Sequence, residues 1–259
     1  MLIGLQRRQA GNDAGTPPRG KDEAGGTGGG LVMSMSTESR RTGLGAAGDA
    51  KGSGPTPAEV AVDRRAHWDA RHAAHEPIEL LEVEPSLDEE VAYLTPGRAL
   101  DLGTGDGRNA VWLARQGWSV TGVDFSSVGL EHARTRARAE GVSVEWVLAD
   151  LLEWRPPAVR FDLVVLFFIH VAPEDRRAIH RMAASAVAPG GTLLVVGHDR
   201  SNLVAGTGGP QDPAVLFTAE EVASELTGLT VRRAEAVRRP VDDDRWRIDA
   251  IVRAVRPIG

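Results

Sequence analysis

The stretch Ala99-Leu100-Asp101-Leu102-Gly103-Thr104-Gly105-Asp106-Gly107 reads as a strand running into a glycine-rich turn, and few architectures accept that join. Three glycines at alternate positions let the backbone turn tightly and approach a ligand, since none carries a Cβ. A helix expected from about Arg108 directs its free N–H groups and positive dipole end back at the turn. The turn is therefore a seat for a carboxylate or phosphate. Asp124 closes a second expected strand, about 20 residues on, where an acid can accept both hydroxyls of a ribose. These features together describe a nucleoside-bearing cofactor with an anionic end.

What the turn lacks narrows the cofactor. The dinucleotide fingerprint G-x-G-x-x-G places glycine where this chain has Arg108, too bulky for close helix packing. Asp101, on the strand before the turn, would repel a pyrophosphate but attract an ammonium or sulfonium. A ligand with an amino acid at one end and adenosine at the other satisfies both halves, and S-adenosylmethionine is such a ligand.

Five segments in order carry a family likeness: Asp101–Gly107, Thr121-Gly122-Val123-Asp124, Ala149-Asp150-Leu151, Phe161-Asp162-Leu163-Val164-Val165 and Ala188-Pro189-Gly190-Gly191-Thr192-Leu193. On these the chain resembles the class I S-adenosylmethionine-dependent methyltransferases over roughly residues 57–255. The tetrad Gly107-Arg108-Asn109-Ala110 is also similar to the tellurite-resistance and thiopurine methyltransferase branch.

Residues 1–54 differ in kind from the rest. They hold 14 of the 30 glycines and no periodic apolar pattern, so they are expected to be a disordered tail. Met33 and Met35 are alternative candidate starts. Residues 55–259 are expected to form one methyltransferase domain, with 55–96 as N-terminal helices capping the cofactor site. The tail's seven bases and five acids leave that domain 23 bases against 31 acids, a balance of −8, and no lysine. Such a surface grips a phosphate backbone poorly, which favours a small-molecule methyl acceptor over nucleic acid. The absence of cysteine excludes disulfides, thiolate nucleophiles and cysteine metal sites. The longest apolar run, Leu163–Ile169, is too short to span a bilayer, so no membrane association and a cytoplasmic enzyme are expected.

The periodicities alternate. A capping box at Thr56-Pro57-Ala58-Glu59 opens a helix reaching about Ala74, and a second begins at Ser86-Leu87-Asp88-Glu89. Strands are expected at 98–102, 118–124, 142–148, 161–168 and 191–197, with helices at 108–116, 126–139, 173–187 and 219–227. A closing antiparallel hairpin falls at 229–238 and 246–255. Continuous apolar runs mark 161–168 and 191–197 as central, while Val142, Val144, Trp146 and Leu148 alternate as an edge strand does. In the hairpin, Trp246, Ile248, Ala250 and Val252 are expected inward, and Arg247, Asp249 and Arg253 outward. The class is α/β, and the resemblance implies a Rossmann-like doubly wound seven-stranded sheet of order 3-2-1-4-5-7-6 with the last-inserted strand antiparallel.

The ligand of such a sheet lies beyond the carboxyl ends of its parallel strands. Gly103, Gly105 and Asp101 are expected to hold the methionine end, with backbone contacts at the glycines. Asp124 takes the ribose, Asp150 and the Leu151 backbone take the adenine, and Phe125 flanks the adenosine. The resemblance implies that Trp68 and Arg71 face inward from the first helix, toward the sulfonium and the carboxylate. His170 and His198, following the fourth and fifth strands, are candidate general bases, with Asp199 as the neighbour of His198. His72 and His75 make half a metal site at best and fit a solvated helix end, so no metal is expected. Val204–Pro213 suits a flexible substrate loop, and Asp242-Asp243-Asp244 a solvated turn. The expected activity is methyl transfer to a small molecule. The alternatives are a nucleotide-dependent oxidoreductase, a non-catalytic S-adenosylmethionine-binding protein, and an RNA methyltransferase.

Overall fold

A computed structural model of the chain describes residues 57–74, 83–157 and 160–259. The tail, the Thr56 cap and His75 lie outside the described residues. Two helices come first, α1 (Pro57–Ala73) and α2 (Pro85–Val91). Strand and helix then alternate: β1 (Arg98–Leu102), α3 (Arg108–Arg115), β2 (Ser119–Asp124), α4 (Ser127–Ala139), β3 (Glu145–Leu148), β4 (Phe161–Phe167), α5 (Pro173–Ala186) and β5 (Val187–His198). A short α6 (Asn202–Ala205), α7 (Ala219–Glu225) and the strands β6 (Thr230–Pro240) and β7 (Trp246–Val255) complete the sequence.

The seven strands form one sheet in the order β3-β2-β1-β4-β5-β7-β6. The first five run parallel, and β7 is antiparallel to both of its neighbours. This is the expected doubly wound Rossmann-like sheet, and its order reverses between β1 and β4. Leu163, Leu166, Leu193 and Leu194 on β4 and β5 are fully buried, each contributing about 1.5–3 kcal/mol. Apolar residues fill both faces there because helices cover both.

Three local expectations change. First, β3 is shorter than expected and begins at Glu145. Second, the alternation assigned to β7 fails at both ends, because Trp246 is 44% exposed and Asp249 is 0% exposed. Asp249 is buried against His198 and Arg247, and the acids of α2, with Glu84 just before it, cover the polar face of the hairpin. Glu89 pairs with Arg239 at 2.6 Å, Glu90 with Arg233 and with Arg253 at 3.2 Å, and Glu84 with Arg247 at 2.5 Å. Helix α2 itself starts at Pro85 rather than being capped by Ser86, whose hydroxyl accepts from Arg239. Third, the Val204–Pro213 segment is tied down. Asn202 donates to Gly208 O at 3.0 Å and accepts from the Ile248 N–H at 2.7 Å, and the Thr207 N–H bonds Trp246 O at 2.7 Å. Among the described residues no helix is long and apolar enough to cross a membrane.

Candidate functional site

The turn after β1 winds through left-handed backbone at Gly103, Gly105 and Gly107, which glycine adopts without steric cost. Several of its amide donors are already engaged within the protein. The Gly103 and Thr104 N–H groups bond Val123 O at 2.8 and 3.0 Å, and the Gly105 N–H bonds Asp124 Oδ2 at 2.8 Å. The glycines therefore offer close approach and their carbonyls to a ligand. The start of α3, pointing at the same turn, is the remaining positive end.

Asp101 and Asp124 are both buried at this turn. Burial pushes the Asp101 carboxyl up to about 7, with the Asp124 charge adding to the effect and the Thr104 hydroxyl, donating at 2.6 Å, opposing it. Burial also raises Asp124, against the N–H bonds from Ser126 and Gly105 that hold its two oxygens. Each of those oxygens keeps a second lone pair, so the ribose role expected of Asp124 remains open to it. Two buried acids at one turn favour a cation arriving beside them.

Helix α1 lies against α4 and carries residues over this site. Asp69 accepts from Ser126 Oγ at 2.5 Å, and Arg64 reaches Asp150 Oδ2 at 2.7 Å while its guanidinium sits 5.6 Å from the Phe125 ring centre. The His72 ring packs on the turn itself, 3.4 Å from where a Cβ on Gly105 would stand. Burial lowers His72, against the pull of Asp124 and Asp106, so it is no solvated helix end. Arg71 is exposed, with its guanidinium 5.1 Å from the Trp68 ring. Residues 64, 68, 71 and 72 fall on one face by their three-, four- and seven-residue spacing, so the pattern that holds Arg71 also holds Arg64.

Asp150 holds its own turn as well, accepting from the Leu152 N–H at 3.0 Å. Leu151 buries its side chain in the core, leaving only its backbone for a ligand. Phe125 is half-buried beneath Arg64.

The two histidines separate sharply. His170 Nε2 accepts from the His198 N–H at 3.0 Å, and its ring also hydrogen-bonds the Phe168 backbone. Burial, reinforced by His198, pushes it down to about 4, so the His170 ring is neutral near neutrality with its Nε2 lone pair taken by the His198 N–H. His198 instead directs Nδ1 at Asp249 Oδ1, 3.1 Å away. The expected neighbour Asp199 turns away to accept from the Ser201 N–H and hydroxyl at 2.8 and 2.6 Å. The segment carrying His170 borders the glycine turn, for the Ile169 side chain would touch a Cβ on Gly103 at 3.0 Å. Asp242 pairs with Arg245 at 2.6 Å within its own turn, as a solvated turn would. Among the described residues no cluster of three or more His, Asp or Glu could hold a metal ion.

Residues 99–191 match a family model described as a methyltransferase domain. An uncharacterized methyltransferase of Mycobacterium tuberculosis is 39% identical over 98 residues, covering 38% of this chain and 48% of the relative. A ribosomal RNA small subunit methyltransferase C of Alcanivorax borkumensis is 33% identical over 147 residues, covering 54% and 42%. A ubiquinone biosynthesis O-methyltransferase of Rhizobium leguminosarum is 32% identical over 141 residues, covering 54% and 53%. The matched regions span about half the length of these curated relatives. Among solved structures, the N-methyltransferase NodS of Bradyrhizobium japonicum in complex with S-adenosyl-L-homocysteine superposes with a TM-score of 0.58 at 18% identity, covering 74% of this chain and 97% of its own. That likeness concerns the fold.

Proposed function

We propose, on the premise that this chain belongs to the class I S-adenosylmethionine-dependent methyltransferases, that it transfers a methyl group to a small-molecule acceptor. The observation that carries the reading is the pair of buried carboxylates, Asp101 and Asp124, at a turn whose glycines leave room for close approach. The donor set fits S-adenosylmethionine. Asp101 would face the ammonium, the start of α3 the carboxylate, Asp124 the ribose, and Asp150 with the Leu151 backbone and Phe125 the adenine. A dinucleotide would bring pyrophosphate charge to Asp101 and fits worse.

Bound S-adenosylmethionine supplies an electrophilic methyl carbon. The protein's part is to fix that end of the ligand, close α1 over it and keep water out. Alignment of this kind contributes about 7–11 kcal/mol to such a displacement. The fold unit is residues 55–259, with α1 as the cap over the cofactor site. Its acidic excess, 31 acids against 23 bases, favours a small molecule over RNA. The test is transfer of radiolabelled methyl groups from S-adenosylmethionine to fractionated bacterial metabolites and, in parallel, to total RNA. Label in a metabolite fraction, lost in Asp124→Ala, is the expected result. Label in RNA alone would overturn the small-molecule reading.

A further inference from the structure

Resting on that reading, we propose that Arg64 is a plug in the adenine subsite. It holds both groups that adenine would take, and cofactor binding moves it from Asp150 to Asp175. Arg64 Nη2 donates to Asp150 Oδ2 at 2.7 Å, as the exocyclic amine of adenine would. The guanidinium lies over the Phe125 ring, 5.6 Å from its centre, on the surface a purine would use. One planar cation thus makes both contacts assigned to the base.

The spacing decides whether the two can coexist. A flat ring between Phe125 and the guanidinium needs about 3.5 Å on each side, about 7 Å in all. The separation is 5.6 Å, so Arg64 must leave before adenine stacks on that face of Phe125. The groups beneath it are fixed. Asp150 is pinned by the Leu152 N–H on Oδ1 at 3.0 Å, and by the Glu153 and Trp154 N–H groups on its carbonyl at 3.0 and 2.8 Å. Phe125 stands between Asp124 and Ser126, joined by the Ser126 N–H on Asp124 Oδ1 at 2.8 Å.

A second carboxylate waits for the displaced cation. Asp175, in the first turn of α5, is 3.9 Å from Arg64 Nη1, the outer limit of an ion pair. The guanidinium therefore stands between two acids, in contact with one and just short of the other. Its fork of donors can exchange them without losing a charged partner. Helix α1 keeps its other anchors meanwhile, since Asp69 accepts from Ser126 Oγ at 2.5 Å and the His72 ring packs on the glycine turn. The result is a two-position side chain that adenine biases by competing for Asp150 and Phe125.

The experiment is calorimetric titration of wild type, Arg64→Met, Asp175→Asn and the double variant. The probes are S-adenosylmethionine and methylthioadenosine, which lacks the amino-acid end. Binding of S-adenosylmethionine by wild type checks the underlying reading separately, and its absence from all four proteins would overturn that reading and the plug with it. Arg64→Met should bind both probes about two- to fivefold more tightly, the range that a partly exposed ion pair supports. Asp175→Asn should weaken both by a similar factor, yet change nothing once Arg64 is replaced. Unchanged or weaker binding by Arg64→Met would show Arg64 holding the base rather than standing in its place. That result, or an Asp175→Asn effect that persists in the double variant, would overturn the proposal.

Discussion

Arg64 on α1 reaches 2.7 Å to Asp150, the acid that follows β3, and so ties the N-terminal helix to the far rim of the cofactor site. The same side chain roofs Phe125. The pair is partly exposed, so its own worth is modest, about 0.5–1 kcal/mol. Its consequence is positional: Arg64→Ala should loosen α1 while leaving the sheet intact. Hydrogen exchange checks this, with faster exchange expected across residues 64–74 and none in β1 or β4. Unchanged protection of α1 would show that Asp69 and Ser126 hold it alone.

Asp101 gives a prediction with two opposed halves. Burial lifts it to about 7 from the usual 3.8. Between those values the folded protein keeps a proton that the unfolded chain has lost, so stability falls as pH rises through that window. Asp101→Asn removes the penalty and should stabilise the ligand-free protein at pH 8 by about 1–3 kcal/mol. The same change removes the charge that meets the ammonium. Affinity for S-adenosylmethionine should weaken as pH drops below about 7 in wild type, by up to tenfold per unit, and be uniformly poor in the variant. Thermal unfolding and titration between pH 6 and 8 read both halves.

Away from the site, Glu225 of α7 joins Arg176 at 2.7 Å and His180 at 2.7 Å on α5. Burial alone would raise Glu225, but the hydrogen bonds from His180 and Arg176 prevail and pull it down to about 2. Its stabilisation is therefore complete above the unfolded value near 4.5 and lost as pH falls toward 2. Glu225→Gln should cost about 3 kcal/mol at neutral pH, because it strands the buried Arg176. Its melting temperature should also change less than that of wild type between pH 5 and pH 3. Parallel profiles would contradict this assignment.

The central place of β4 and β5 was legible in their continuous apolar runs, while the strand order came from the resemblance; in β3 the alternation breaks at Val147, packed on the core, and Leu148, exposed. The glycine turn and Asp124 were legible as local geometry. What escaped was long-range pairing of charges. Asp249 looked like an outward residue of an alternating strand, because nothing in 246–255 announces that α2, more than 150 residues earlier, supplies acids to cover that face. Asp199 looked like the partner of His198 because it is adjacent in sequence, yet neighbouring strand residues point to opposite faces and the partner came from the next strand. Arg64 was not singled out because it stands seven residues before Arg71 on the same stripe of α1, and spacing alone does not say which side chain reaches Asp150.

The central claim is that the glycine turn with Asp101 and Asp124 holds S-adenosylmethionine. Calorimetric titration of wild type and Asp124→Ala with S-adenosylmethionine and with NADH tests it most directly. Micromolar binding of S-adenosylmethionine, about −8 kcal/mol, with none of NADH and a loss of the signal in Asp124→Ala, is the predicted result. Binding of NADH, of neither ligand, or of S-adenosylmethionine equally by both proteins would contradict the account.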